Sequence, residues 1–195
     1  STGRGNDLST VTNAPGNTTG KISNAIQLAA ASTQSVSRAS TADLQGAVDW
    51  TIAAWVYLDS VGAERTIMCK STEWILRYNT GSARFDFGWT DGGAVFRNVL
   101  ANTFGALSLS TWYFVVGIHD STVNQIKISV NNGAFNTSAA TGVTVGAAAA
   151  TLGMRASVNF WDGRIDEVGI WKRVLSAAEI TALYNGGSGN THPFL

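Results

Sequence analysis

F-W-D-G-R-I-D-E-V-G-I-W-K-R-V-L-S-A-A-E-I-T-A-L-Y-N-G-G, residues 160–187, decides the fold. A glycine turn runs into a β-rich segment, and an amphipathic helix follows. Ser176 and Glu179 make an S-x-x-E capping box, in which hydroxyl and carboxylate each accept a backbone N–H of the first turn. Leu175 precedes the cap and is placed to staple onto Ile180. Ile180, Leu183 and Tyr184 share one face at helical spacing. Asn185-Gly186-Gly187 tolerates the left-handed conformation that ends a helix. The reading is one helix over residues 176–185, docked by a single apolar stripe.

Upstream, the chain reads as short strands between turn clusters, spaced by roughly 8–12 residues, the pattern of an all-β sandwich. Residues 1–20 are polar and rich in turn formers. The first clear strand spans Ile22, Ile26 and Leu28. Thr51–Leu58 is the strongest: Ile52, Ala54, Val56 and Leu58 alternate with Thr51, Ala53, Trp55 and Tyr57. Both faces are largely apolar, so this strand is expected to be covered on both sides. Further strands are expected at 65–70, 74–78, 83–89, 94–100, 112–119, 125–130, 150–154 and 164–171. Trp112, Phe114, Val116 and Ile118 fall on one face of theirs. Asn131-Asn132-Gly133 predicts a hairpin, because type I′ turns need positive φ at both central residues.

Composition narrows the function. The chain has 195 residues, enough for one large sandwich domain over 1–195. Thirteen basic and thirteen acidic residues cancel, which argues against a phosphate backbone as partner. No apolar run is long enough for a membrane-spanning helix, and no signal peptide is evident. Gly, Ala, Ser, Thr and Asn are abundant, as in extracellular bacterial and viral β-proteins. Cys69 is the sole cysteine, which excludes an internal disulfide and reads as a buried thiol. His119 and His192 stand in no metal-ligand spacing.

The ordered blocks resemble the laminin-G-like branch of the concanavalin A-like lectin/glucanase superfamily. Gly20–Leu28 (G-K-I-S-N-A-I-Q-L) is similar to the family's opening turn and core strand. Asp49–Tyr57 (D-W-T-I-A-A-W-V-Y), Ser110–Gly117 (S-T-W-Y-F-V-V-G), Ile128–Gly133 (I-S-V-N-N-G) and the terminal stretch follow in family order. The resemblance implies a two-sheet antiparallel jelly roll with one short C-terminal helix. It also implies that the family's first strand is either absent or upstream in a longer polypeptide, since this chain opens inside the loop after it.

Catalytic relatives carry E-x-D-x-x-E on one strand, with alternate side chains in the cleft. The four glutamates here, Glu64, Glu73, Glu167 and Glu179, do not stand in that pattern. Asp166 and Glu167 are adjacent, so a regular strand points them to opposite faces. A non-catalytic module is expected. The resemblance further implies one structural calcium ion, with Asp166 as the late-strand ligand and Asn6 or Asp7 supplying the early oxygen.

Sugar binding needs an aromatic platform beside planar polar groups. Of the seven tryptophans, Trp50, Trp89 and Trp112 read as inward. Trp55, Tyr57 and Tyr113 read as a second-face stripe that the helix covers. Trp74, after a loop, and Trp161, within one, are the expected exposed platforms. Arg84 and Asp86 lie opposite Phe85 and Phe87 and are expected to hold hydroxyls. Two roles follow. One is a glycan-binding surface module of an extracellular or virion assembly, with neighbouring subunits of a homo-oligomer as partners. The other is a structural decoration or fibre domain of a phage particle.

Overall fold

The computed structural model describes residues 8–46 and 49–191. Fourteen strands and one α-helix are formed there. In chain order the strands are β1 (Thr10–Thr12), β2 (Gly16–Thr19), β3 (Asn24–Leu28), β4 (Ser35–Arg38), β5 (Trp50–Leu58), β6 (Arg65–Lys70) and β7 (Trp74–Asn79). Then come β8 (Arg84–Thr90), β9 (Phe96–Leu100), β10 (Trp112–Asp120), β11 (Gln125–Val130), β12 (Asn136–Ala139), β13 (Ala150–Leu152) and β14 (Gly163–Trp171). Helix α1 spans Ala177–Tyr184.

Two seven-stranded sheets pack face to face. One runs β1-β4-β13-β6-β7-β8-β9 and the other β12-β11-β10-β5-β14-β3-β2. Every strand pair is antiparallel. This is the expected all-β jelly-roll sandwich. Between the sheets lie Trp50, Ile52, Val56 and Leu58 of β5, Trp74 and Leu76 of β7, and Phe85, Phe87 and Trp89 of β8. Each such side chain contributes about 1.5–3 kcal/mol by leaving water. Gly117 leaves room for the Phe87 ring, which comes within 2.6 Å of where a Cβ would stand.

β5 is covered on both faces, as its composition requires. Ala53 and Trp55 meet Phe114, Val116 and Ile118 of β10 on the outer face, and α1 seals them with Ile180 and Leu183. Tyr184 stacks on Trp55 with centroids 5.8 Å apart. The outer face therefore takes Trp112 too, which alternates with Phe114; the inward placement expected for it is corrected. Tyr113 alternates the other way and lies in the core, not in the outer stripe.

The helix cap forms as the sequence dictates. Ser176 Oγ accepts from Glu179 N–H at 3.3 Å, and Glu179 Oε2 accepts from Ser176 N–H at 2.8 Å. The entry is fastened to β5 through the buried Thr51 hydroxyl, which donates to Arg173 O and accepts from Leu175 N–H. Asn185 takes φ 47° and ends the helix. The Arg173 guanidinium, followed by the Ser176 N–H and hydroxyl, lowers the Glu179 pKa from 4.5 to about 2. A depressed carboxylate stabilises the fold fully above its unfolded pKa and loses that contribution as pH falls through the folded one. The helix contribution is therefore expected to be complete above pH 4.5 and to fade towards pH 2. Glu179→Gln should flatten that part of the acid-unfolding curve in far-UV circular dichroism. An identical pH profile in both proteins would refute the assignment.

The polar N-terminal stretch departs from expectation. Its described part forms β1 and β2, one at the edge of each sheet. Their side chains are mostly exposed, so backbone pairing to β4 and β3 holds them rather than apolar burial.

Candidate functional site

Of the residues expected to form a sugar site, Trp74 borders the cleft that Thr72, Phe96 and Arg155 line, and Trp161, Arg84 and Asp86 do not. Trp74 is 1% exposed, because it shares the core side of β7 with Leu76 and Tyr78 and packs on Trp50 with ring centroids 5.6 Å apart. Trp161 is fully buried. Its loop is pinned inward by Trp161 N–H to Gly153 O and by Asp59 N–H to Asp162 O, each at 2.8–2.9 Å. Neither ring offers a face to solvent. Arg84 Nη1 donates to Gly105 O at 2.5 Å.

Asp86 does lie on the outer face of its sheet, but it is buried. Its cross-strand neighbour Arg77 grips it at both oxygens, Nε to Oδ1 at 2.8 Å and Nη2 to Oδ2 at 3.0 Å. Asn79 and Asn98 also donate to Oδ2. Glu64 takes the remaining arm of Arg77 at 2.7 Å. Asp86 and Glu64 hold the Arg77 guanidinium above its ordinary pKa against the opposing effect of burial. This closed network stiffens the face and leaves little for a ligand.

Asp166 serves a turn. Its Oδ2 accepts from Ile22 N–H at 2.8 Å and its Oδ1 from Glu167 N–H at 2.9 Å. β14 is bulged between Asp166 and Gly169, and Glu167 has φ 45°, so simple alternation does not hold at this pair. Asn6 and Asp7 lie outside the described residues. Among the described residues, no group of three or more His, Cys, Asp or Glu is placed to hold a metal ion.

A cleft of about 330 Å³ lies at one end of the helix-free sheet, and Trp74 is the one lining residue that the sequence reading named as a site residue. Its walls include Thr72, Ile75, Thr90, Phe96 and Arg155. Phe96 is 44% exposed. Its ring lies across Gly88 so closely that a Cβ there would meet Phe96 Cζ at 2.3 Å. Gly88 thus fixes the aromatic wall. The turn that leads into Phe96 is built by Asp91, which accepts from Gly93 N–H, Val95 N–H and Arg97 Nε. The Val95 N–H first, then Arg97, hold the Asp91 carboxyl below the ordinary range.

Opposite, Arg155 stands at the base of a tight turn whose two central residues, Ala156 and Ser157, have positive φ. Its guanidinium has no carboxylate or hydrogen-bond partner among the described residues, and the Thr72 and Thr90 hydroxyls are likewise unengaged. Beneath them Glu73 ion-pairs with Lys70, both fully buried. Glu73 also accepts Gly46 N–H and Gly146 N–H at 2.8 Å each, tying two loops to the cleft floor. Chemically the cleft joins a flat apolar wall, a free planar cation and free hydroxyls. Beyond Trp74, the only sequence signal was the pairing of exposed Phe96 with Gly88 across β8 and β9, visible once the register is known.

Two antiparallel seven-stranded sheets packed face to face define the jelly-roll class of sandwich. The family model of the concanavalin A-like lectin/glucanase superfamily matches residues 30–181, and the chain belongs to that superfamily. No curated protein matches it in sequence. Among solved structures it is similar to the binding domain of Paraclostridial Mosquitocidal Protein 1 (TM-score 0.72, 15% identity, covering 93% of this chain and 47% of that one). The chain thus spans about half of that structure's length. Domain 4 of AbnA, an extracellular GH43 arabinanase of Geobacillus stearothermophilus, was solved with arabinotriose (TM-score 0.59, 16% identity, covering 91% and 82%). A putative carbohydrate binding protein of Bacteroides ovatus is also similar (TM-score 0.58, 17% identity, covering 75% and 43%). At these identities the likeness is one of fold.

Proposed function

We propose that this chain is a non-catalytic carbohydrate-binding module that takes a saccharide in the Phe96–Arg155 cleft. The observation that carries this is the exposed Phe96 ring sharing one cleft with the Arg155 guanidinium and the Thr72 and Thr90 hydroxyls, which have no partner among the described residues. A pyranose face stacks on the ring, while Arg155, Thr72 and Thr90 hold its hydroxyls. The glutamates support a non-catalytic role: Glu64, Glu73 and Glu179 are each committed to a basic partner. The setting proposed is extracellular, on a secreted protein or a virion. There, many copies raise the avidity of one shallow site.

A glycan array probed with the multimerised domain identifies the saccharide. Titration of the hit should then show Phe96→Ala weakening binding about 5- to 150-fold, with Arg155→Ala similar. Unchanged melting temperatures confirm that the variants fold. Repeating the titration with chelator tests a calcium ion at Asp166. Full affinity in both variants would reject the cleft. No glycan bound at all, together with stable self-association, would favour the structural role.

A further inference from the structure

The opposite sheet carries a second row of groups that the cleft does not use. Trp112 of β10, Tyr57 of β5, Arg164 of β14 and Gln27 of β3 are direct cross-strand partners in successive pairs. All four stand on the outer face, one row beyond the Phe114–Trp55 row that α1 covers. Each is only partly buried. The Trp112 and Tyr57 rings are 5.5 Å apart. The Arg164 guanidinium carbon lies 4.6 Å from the Tyr57 ring centroid. Arg164 Nε donates to Gln27 Oε1 at 3.3 Å and Nη1 to Thr19 O at 3.5 Å, both at the long end for hydrogen bonds. The other N–H donors of its fork have no partner among the described residues.

Charge decides what such a row takes. Arg164 has no ion-pair partner among the described residues. Lys21, whose Nζ lies 4.8 Å from the centre of the neighbouring Trp55 ring, has none either. Asp59, an exposed carboxylate at this end, accepts from Gln27 Nε2 at 3.3 Å and does not ion-pair with Arg164. Asp166, beside Trp55, is turned to the Ile22 N–H. Arg164 thus lies over Tyr57 and Lys21 over Trp55 in the next row, neither with a carboxylate partner among the described residues.

We infer that the Trp112–Tyr57–Arg164–Gln27 row is a second, separate saccharide site, for a pyranose that bears a carboxylate, a uronic or sialic acid. The sugar ring lies on Trp112 and Tyr57. Its carboxylate accepts the free N–H groups of Arg164 as a planar, charge-assisted pair, and Gln27 meets a hydroxyl. The row does not depend on the cleft, so the domain presents ligand groups on both of its outer faces.

Calorimetric titration with an oligogalacturonate and with sialyllactose, each beside a neutral oligosaccharide of the same length, tests this and separates the two acid sources. At least one acidic probe should bind more tightly than its neutral counterpart, and less tightly as salt rises. Arg164→Gln should lower that affinity about tenfold or more, and Trp112→Ala about fivefold or more. Arg164→Gln and Trp112→Ala leave every cleft residue in place, so an acid-specific loss in these two variants keeps failure of this site distinct from failure of the cleft. Arg164→Gln replaces a partly exposed side chain and serves as the variant that folds if Trp112→Ala does not. Equal affinity for acidic and neutral probes, no binding of either acidic probe, or binding untouched by Arg164→Gln would overturn the inference. So would a change of oligomeric state in Trp112→Ala by sedimentation, which would make the row a contact between copies.

Discussion

Glu73→Ala is expected to destabilise the domain by about 3–5 kcal/mol, the loss typical when one partner of a buried ion pair is removed. Lys70 and Glu73 are both fully buried, so the variant strands an ammonium in the interior with Gly146 O as its remaining contact. Two backbone N–H groups, of Gly46 and Gly146, lose their acceptor at the same time. Removing both charges, with Lys70→Met added to Glu73→Leu, should recover part of the loss, because an apolar pair of similar volume removes the stranded charge. Recovery should stop short of wild type, since the two amides stay unsatisfied. Urea denaturation of the two single variants and the double completes the cycle. A loss below about 1 kcal/mol in Glu73→Ala would show that water reaches Lys70 and that the pair behaves like a surface one.

Gly163→Ala is expected to cost about 4 kcal/mol or more, in the range reserved for severe backbone and packing faults. Gly163 opens β14 with φ +136°, where a Cβ would stand 2.0 Å from the carbonyl oxygen of Tyr57. The clash is with backbone of the central strand β5, which cannot swing away as a side chain would. Gly163 pairs with Leu58 on one side and Leu28 on the other, so relaxation would break two ladders together. Soluble yield and the urea midpoint of the variant report it directly. Near-native stability would mean that β14 starts one residue later than the pairing shows.

The same glycine explains why the fold was legible. The turn W-D-G-R and the capped helix each follow from local chemistry, and the structure forms both; the strand between them forms too, but with a bulge after Asp166 that alternation does not foresee. Strands with alternating apolar residues, such as 65–70 and 125–130, matched to the residue. β4 and β12 were missed, and β1 and β2 lay in a stretch read as turns, because such short, largely polar segments carry no apolar period. The hairpin at Asn131–Gly133 formed, but its positive-φ residues are Asn131 and Asn132, with Gly133 closing the turn onto Val130. The Asn-Gly pair marked the turn and misplaced its centre by one residue.

The site was far less legible. Whether Trp74 starts a strand facing in or out depends on which side of β7 meets the opposite sheet, and one residue of phase decides it. Trp161 looked exposed because loops usually are, yet two backbone hydrogen bonds fold its loop into the core. Asp86 looked free because its partner Arg77 comes from the next strand. Conversely, Phe96, Arg155, Thr72 and Thr90 come from four separate segments. Trp112, Tyr57, Arg164 and Gln27 come from four strands. Only register brings either set together.

β1 and β2 have a further consequence. They bury little, yet they occupy the outer hydrogen-bonding edges of β4 and β3, one on each sheet. Without them two rows of backbone N–H and C=O groups would lie open on the same side of the sandwich. Open strand edges are templates for other chains. A truncation before residue 20 would leave the apolar interior nearly whole and still turn a dispersed protein into an aggregating one. The short polar strands act less as a source of stability than as a guard on solubility.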